Sequence, residues 1–201
     1  MNAGISSKKW QHSLSTNEEP SMNISEMRFP RQLEADGSDT AIRRALMAKT
    51  TKLWPDSRFA VPVIELCESL KKALKTARLQ GRIRCGAEAI FEKLAAEKTG
   101  IAQVKSQSPA PYGDRVSRLL LFSNDGAERF YRNIEQTILT HSPRLLGCLL
   151  DIDGEALGQL ITGREGIIKI VMAEHKDVVS AILRALVENQ KADIGDPGGE
   201  K

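Results

Sequence analysis

The fold is decided by the stretch RVSRLLLFSNDGAERFYRNIEQTILTHSPRLLGCLLDI, residues 115–152. Its two ends, RVSRLLLFS (115–123) and RLLGCLLDI (144–152), contain short apolar runs of the kind found in strands buried on both faces. Between them, DGAERFYRNIEQTILTH (125–141) opens on an aspartate that can cap a helix. A strand, a helix and a second strand in this order predict two parallel strands of one sheet, joined by a crossover helix.

The same alternation continues towards the C-terminus. Asp153 can cap a short helix, GEALGQLIT, which Gly163 ends. GIIKIVMA (166–173) is then predicted to be a strand, and EHKDVVSAILRALVENQ (174–190) a last helix. The remaining residues, KADIGDPGGEK (191–201), are rich in Gly and acids and are expected to form a loose tail.

The segment upstream of residue 115 contains further helices. Apolar residues recur at spacings of three and four over 57–80, which predicts a helix with Pro62 in its first turns and Gly81 at its end. RIRC (82–85) is predicted to be a short strand, and Gly86 opens a helix, AEAIFEKLAAEK, that Gly100 ends. The segment that follows, IAQVKSQSPAPYG, carries two prolines and is expected to be an exposed loop spanning 101–113.

The N-terminal segment differs in composition from the rest of the chain. Residues 1–38 are rich in Ser, Asn, Glu and Pro and have few aliphatic side chains, so they are expected to be disordered. Asp39 can cap a short helix over 40–53. The chain is therefore divided into a flexible extension, 1–55, and a folded domain, 56–190. Deletion of residues 1–38 is accordingly expected to leave the melting temperature nearly unchanged.

These elements together predict an α/β fold, a three-layer α-β-α sandwich behind an N-terminal extension. The sheet is expected to be small and mixed, with Leu120, Leu149 and Ile170 buried in adjacent strands. Its four predicted strands span residues 82–85, 115–123, 144–152 and 166–173.

Composition narrows the class of protein. A length of 201 residues with 41 % apolar residues fits one domain with tails. No apolar run approaches the roughly 18–20 residues of a membrane span, so the chain is expected to be soluble. Its cysteine usage favours a reducing, intracellular compartment. Its three cysteines are odd in number and widely spaced, which favours reduced thiols without a metal or cofactor. Residues 41–98 hold 13 Lys and Arg against 6 Asp and Glu, which favours a polyanionic partner.

Three local patterns resemble parts of catalytic sites. DIDG (151–154) is like the aspartate pair of phosphatases that form an acyl-phosphate, but no second acidic pair follows to hold magnesium. SNDG (123–126) could hold a phosphate at the start of a helix or could simply cap that helix. Gly163 and Gly166 do not form a phosphate-binding loop. No catalytic residue is assigned, and the protein is predicted not to be an enzyme.

Four segments resemble the ribosomal L-seven-Ae / L-thirty-e superfamily of kink-turn RNA-binding proteins. EALGQLITG (155–163) is the most specific of them, since it is similar to the family's helix of an acid, Leu-Gly and a later Gly. The resemblance covers residues from about 66 to 188. The other three segments are LKKALKTARLQGRIRCGAEAI (70–90), LLLFSND (119–125) and IIKIVMAEHKDVVSAILRAL (167–186).

The resemblance implies an α-β-α sandwich that grips bent, internally looped RNA. By position, the contacts would come from the start of a helix, from the loop after the central strand and from the loop before the last strand. Nearby basic side chains would screen the phosphates, and an apolar loop residue would support an unstacked base. The implied contacts are Gly86, Ala87 and Glu88; Asn124 and Asp125; and Arg164, Glu165, Gly166 and Ile167; the basic residues are Arg82, Arg84 and Lys93.

The sequence also departs from the family pattern. Kink-turn readers have a polar pair after the glycine and a lysine nearby, whereas this chain has Ala87-Glu88-Ala89, with Glu92 near the lysine position. Three hypotheses therefore stand beside one another. The first hypothesis is that the protein is an RNA-binding subunit of a ribonucleoprotein of the ribosome, ribonuclease P/MRP or small nucleolar type, in the cytoplasm, the nucleus or an organelle such as the mitochondrion. The alternatives are a protein–protein adaptor that kept the fold and, third in order, a small phosphatase.

Overall fold

The structure is a computed structural model that describes residues 23–107 and 114–192. Within these residues the chain forms seven helices and six strands, which alternate from β2 onwards. The helices are α1 (Arg31–Ala35), α2 (Ser38–Ala48), α3 (Glu68–Leu79), α4 (Ala87–Gln107), α5 (Glu128–His141), α6 (Gly154–Thr162) and α7 (Lys176–Ala192). The strands are β1 (Thr50–Lys52), β2 (Ala60–Ile64), β3 (Ile83–Cys85), β4 (Arg118–Phe122), β5 (Leu145–Leu150) and β6 (Ile170–Ala173).

The strands form a single mixed sheet in the order β1-β2-β5-β4-β6-β3. β4 and β5 are parallel neighbours joined by α5, as the stretch 115–152 predicts. β2 also runs parallel to β5, whereas β6 is antiparallel to both β4 and β3. The predicted α/β class and mixed sheet are confirmed. The predicted number of four strands is wrong, because β1 and β2 extend the sheet beyond β5.

Helices cover the sheet on both of its faces. All four residues of β6 are buried, and successive side chains of a strand point to opposite faces. One group of helices comprises α1, α2, α3, α6 and α7, which contact one another in a chain, and a second group comprises α4 and α5. Leu120 and Ile170 are buried in neighbouring strands as expected, while Leu149 is half-buried.

The predicted helix 57–80 is in fact a strand followed by a shorter helix. β2 takes up AVPVI, and Pro62 lies within that strand opposite Thr50. The helix begins only after Cys67, whose Sγ accepts a hydrogen bond from the Leu70 amide at 3.4 Å. The apolar residues of 61–66 fit a helical spacing and a buried strand equally well. Pairing of β2 with β5 decides for the strand.

Gly100 does not end the helix that begins at Ala87. α4 runs on through Gly100 to Gln107, so the predicted loop 101–113 is helical over its first seven residues, and 108–113 lie outside the described residues. A glycine inside a helix costs only about 1 kcal/mol, which neighbouring residues can offset. Gly81 does end α3, because its φ of 67° is left-handed and helical residues cannot adopt it.

Residues 23–55 are part of the folded unit, and the expected flexible extension is wrong for them. Ile24, Met27, Phe29 and Leu33 are buried in the main core. The Arg43 guanidinium holds this segment by donating to the carbonyls of Ile24, Ser25 and Met27, and it also stacks 4.9 Å above the Phe29 ring. The predicted helix 40–53 ends at Ala48 as α2, and β1 follows.

A buried carboxylate fastens the connection between β1 and β2 to α5. Glu135 accepts hydrogen bonds from Trp54 Nε1 at 2.9 Å, Ser57 Oγ at 2.6 Å and the Arg58 amide at 3.1 Å. Arg132 stacks over the Trp54 ring at 4.6 Å. A buried charge is tolerated here because three donors surround it.

Candidate functional site

The loops that were expected to bind RNA meet at one end of the sheet. β6 is antiparallel to β3 and β4, so the start of β6 lies beside the ends of the other two strands. Backbone hydrogen bonds join them: the Gly86 amide donates to the Ile170 carbonyl at 3.1 Å, and the Ser123 amide donates to the Lys169 carbonyl at 3.0 Å. Residues 86–88, 123–126 and 163–169 therefore form one surface, called here the loop end of the sheet.

Gly86 places the start of α4 at the loop end. Its φ of 88° is left-handed, and its carbonyl accepts the first helical bond, from the Ile90 amide at 3.2 Å. A Cβ built on Gly86 would meet nothing within 4 Å, so the space beside this backbone is open. The first amides of a helix lack partners within the helix and carry partial positive charge. The start of α4 can thus hold an acceptor atom that approaches closely.

Asp125 braces the loop end from within. Its carboxylate accepts from Ser123 Oγ at 2.6 Å and from the Gly154 amide at 3.0 Å, and it pairs with Lys169 Nζ at 3.2 Å. The Ser123 hydroxyl, followed by the Lys169 ammonium, holds the pKa of Asp125 below its usual range. Asn124 donates through Nδ2 to Asp151 at 3.1 Å. The side chains of these two predicted contact residues therefore form hydrogen bonds and an ion pair that connect the loops at the ends of β4, β5 and β6.

Loop 163–169 runs directly over α6. A Cβ on Gly158 would lie 1.8 Å from the Gly166 carbonyl oxygen, so only a glycine permits this approach. The loop is tied down again by the Ile168 amide, which donates to the Gly154 carbonyl at 2.8 Å. Held in this way, Ile167 is 71 % exposed. The loop thus presents a large apolar side chain to solvent in a fixed position.

The three basic residues predicted for this surface lie elsewhere. Arg82 precedes β3 and so stands about 13 Å from Gly86 along an extended chain. Arg84 is paired with Glu174. Lys93 is two turns along α4, roughly 10 Å from its start, and lies 3.7 Å from Glu97. These residues are close to Gly86 in the sequence, but β3 and α4 run away from the loop end and place the basic side chains at a distance from it.

Carboxylates outnumber cations at the loop end. The acids that belong to its segments or adjoin them are Glu88, Asp125, Asp151, Asp153, Glu155 and Glu165; the bases are Lys49, Arg164 and Lys169. Lys49 Nζ lies 3.4 Å from Asp151 Oδ2 and 3.1 Å from Glu65 Oε1, so its positive charge is shared between two carboxylates. The basic composition of 41–98 gave no hint of this, because the acids come from loops distant in sequence.

The DIDG aspartates have structural partners. Asp153 caps α6 by accepting from the Ala156 amide at 2.8 Å, and Asp151 pairs with Lys49. Within residues 23–107 and 114–192 no group of three His, Cys, Asp or Glu side chains is arranged to hold a metal ion. None of the helices in these same residues has the length and apolarity to cross a bilayer. Cys67, Cys85 and Cys148 are all free thiols.

The brace at Asp125 predicts a specific pH dependence of stability. Because the folded-state pKa of Asp125 is lowered from 3.8, its contribution is present above about pH 4 and is lost as the pH falls through the folded value. Asp125→Asn should therefore lower the melting temperature at pH 7 and leave it nearly unchanged at the acid end. Thermal unfolding of both proteins from neutral to strongly acidic pH measures this. If the difference in melting temperature between the two proteins stays constant from neutral to acidic pH, the stabilising role of the Asp125 carboxylate is contradicted.

Comparison with known proteins yields no assignment for this chain. No protein-family model matches it, and no curated protein matches its sequence.

Proposed function

We propose that the protein is an RNA-binding subunit of a ribonucleoprotein, which holds a bent RNA against the loop end of the sheet. The observation that carries the proposal is the convergence there of 86–88, 124–125 and 164–167. These are the segments at which the resemblance to the L-seven-Ae / L-thirty-e superfamily implies RNA contacts. A mixed α/β sheet with two antiparallel contacts of β6 supports the same resemblance.

The chemistry of the loop end fits an unpaired nucleotide. Ile167 offers an exposed apolar surface on which a splayed base can rest. The open space beside Gly86 lets a sugar or phosphate oxygen approach the first amides of α4. The carboxylates of Glu88 and Glu165 accept hydrogen bonds and therefore favour bases that present amino groups. Recognition by shape and base edges, with little charge neutralisation, is the mode that these residues support.

The excess of carboxylates favours a second candidate function, a protein-docking adaptor. A surface with one exposed isoleucine among acids is complementary to a basic peptide that carries an apolar side chain. Phosphates, in contrast, are repelled by Glu88 and Glu165. The two functions make opposite predictions for RNA binding, so one set of variants separates them.

Gly86→Val tests the proposal at the start of α4. A β-branched side chain there would fill the open space and should weaken binding of a kinked internal-loop stem by at least about tenfold, or 1.4 kcal/mol. The matched control is Gly81→Val, which has the same left-handed backbone, with φ of 67°, and the same open surroundings. Gly81 lies at the opposite end of β3, so this variant should suffer the same strain and bind normally. Dissociation constants from electrophoretic shift, with melting temperatures, provide the comparison.

Ile167→Asp tests the apolar contact in the same assay. Loss of one base-supporting side chain should cost about 1–3 kcal/mol of binding free energy. Leu79→Asp is its control, because Leu79 is 89 % exposed at the end of α3 and the change is of the same kind. If both site variants bind RNA as the wild type does, the RNA site is elsewhere. If the wild type binds no structured RNA, including RNA recovered by crosslinking in cells, the adaptor function replaces this proposal.

A further inference from the structure

A second group of charged residues lies at the opposite end of the sheet from Gly86. The far half of α4, the end of α5 and the first residues of β4 and β5 surround a cavity of about 230 Å³ there. We call this the strand-start pocket, and the function proposed above makes no use of it. Its charged or titratable lining residues are Glu97, Lys98, Lys105, Arg118, His141 and Arg144.

Glu97 is the carboxylate at the centre of the strand-start pocket. Arg118 donates to its Oε1 from Nη2 at 2.8 Å and from Nε at 3.3 Å. Arg144 Nη2 lies 3.7 Å from Oε2, and Lys93 Nζ lies 3.7 Å from Oε1. The Glu97 and Arg118 side chains are only 15 % and 17 % exposed. One carboxylate is thus shared by three cations, of which Arg118 and Arg144 are mostly buried.

The positive charge of the pocket is not balanced by its own residues. Burial, together with the charge of Arg118, lowers the pKa of Arg144, and burial together with Lys98 and Arg144 lowers the pKa of His141. The carbonyls at the end of α5 offset only part of a unit charge. Among the described residues that line the pocket, Glu97 is the one acid, against Lys98, Lys105, Arg118 and Arg144. This excess of cations makes the pocket suited to an anion.

We propose that the strand-start pocket binds a phosphate group, held by Arg144 and Arg118 and approached along Lys98 and Lys105. Guanidinium groups match the geometry of phosphate oxygens, and two of them side by side create a strong anion site. A cavity of this volume admits a tetrahedral anion together with several waters.

Phosphate could come from two sources, the backbone of a nucleic acid or a free phosphate or phosphomonoester. Lys98 and Lys105 stand seven residues apart on α4, both on the side that lines the pocket, which places their charges about 10 Å apart along the helix. That arrangement suits a chain of phosphodiesters as well as a single ion. The shared chemistry is the phosphate group, and the experiment has an arm for each source.

The first arm titrates the full chain with inorganic phosphate and follows the amide resonances by NMR. We expect saturable shifts confined to the far half of α4, residues 117–118 and residues 140–145. Arg144→Gln removes a charged hydrogen-bond donor and should weaken binding about tenfold. Lys98→Gln changes an exposed residue that leaves the Glu97 ion pairs in place, and it should weaken binding roughly two- to fivefold.

Lys75→Gln is the matched control, because Lys75 is exposed on α3, away from the pocket, and loses the same charge. It should bind phosphate as the wild type does. Shifts that do not saturate, or that spread equally over the lysines of α3, would overturn the proposal. So would unchanged affinity in a folded Lys98→Gln protein, whatever the fate of Arg144→Gln.

The second arm adds a short single-stranded RNA to the phosphate-loaded protein. Two results together identify a phosphodiester as the ligand. RNA displaces the bound phosphate, and the slope of the logarithm of the RNA-binding constant against the logarithm of the salt concentration becomes shallower by about 0.7 in Lys98→Gln. No displacement identifies a free phosphate or phosphomonoester. This pocket does not depend on the loop end: Gly86→Val and Ile167→Asp should leave phosphate binding unchanged, so failure of either proposal is seen separately.

Discussion

Deletion of residues 1–38 is expected to remove most of the protein's cooperative thermal unfolding transition. The segment contributes Phe29 and Leu33, both fully buried, together with Ile24 and Met27. Loss of a buried Phe or Leu side chain costs about 2–5 kcal/mol each, and a whole domain is stable by only about 5–15 kcal/mol. Circular dichroism or calorimetry during heating measures the result, which is opposite to the expectation from composition.

A second deletion, of residues 1–22 alone, is the reference for this experiment. It leaves every contact described for Arg43 and Phe29 in place, so the difference between the two deletions reports residues 23–38. Phe29→Ala should by itself cost about 3–5 kcal/mol. Equal melting temperatures for the two deletions would show that this segment does not pack on the core.

Gly158→Ala is expected to destabilise the protein by about 3 kcal/mol, near the upper limit for overpacking a core. The added methyl would lie 1.8 Å from the Gly166 carbonyl oxygen and 3.3 Å from the Ile168 amide nitrogen. Both contacts are backbone atoms, so α6 and loop 163–169 must separate. For a chain of this size the melting temperature should fall by roughly 6–12 °C. Differential scanning calorimetry gives the value.

Gly100→Ala is the matched control, since it is the same chemical change inside another helix. Gly100 lies in α4, and a Cβ there would meet nothing within 4 Å. Alanine should therefore stabilise the protein by about 0.5–1 kcal/mol through its better helix propensity. Opposite signs for the two substitutions would confirm that close approach, and not helix propensity, requires the glycine at 158. The same sign for both would contradict that close approach.

The segments with strong local patterns could be predicted from the sequence. The runs 118–122 and 145–150 are too apolar and too short to be anything but buried strands, and the helix between them has the required amphipathic spacing. Asp153 and Gly163 mark the two ends of α6, and the structure has them as its caps. In each case the information lies within ten or so neighbouring residues, so local chemistry was sufficient.

Other elements could not be predicted because two local structures were nearly equal in free energy. The segment 60–64 contains a proline and fits a helical spacing, and it becomes a strand only because β5 offers it hydrogen bonds. Gly100 could end a helix or lie inside one. Residues 24–33 have too few aliphatic side chains to fold by themselves, yet Arg43 and the core give them partners. A tertiary contact of a few kcal/mol reverses each of these choices.

The candidate site, too, has features that follow from the local sequence and others that depend on tertiary contacts. Neighbouring residues were enough to predict that Gly86 and Asn124 lie in loops that follow strands. Ile167, in contrast, is predicted inside a strand spanning 166–173, and it lies in the loop before β6. The tertiary structure pairs β6 antiparallel with β3 and β4, which brings these loops together and leaves Arg82 and Lys93 at a distance from them. It also decided that acids gather at the loop end and that Arg118 and Arg144 share Glu97 at the other. Local structure follows from neighbouring residues, whereas charge distribution depends on which distant segments the sheet places side by side.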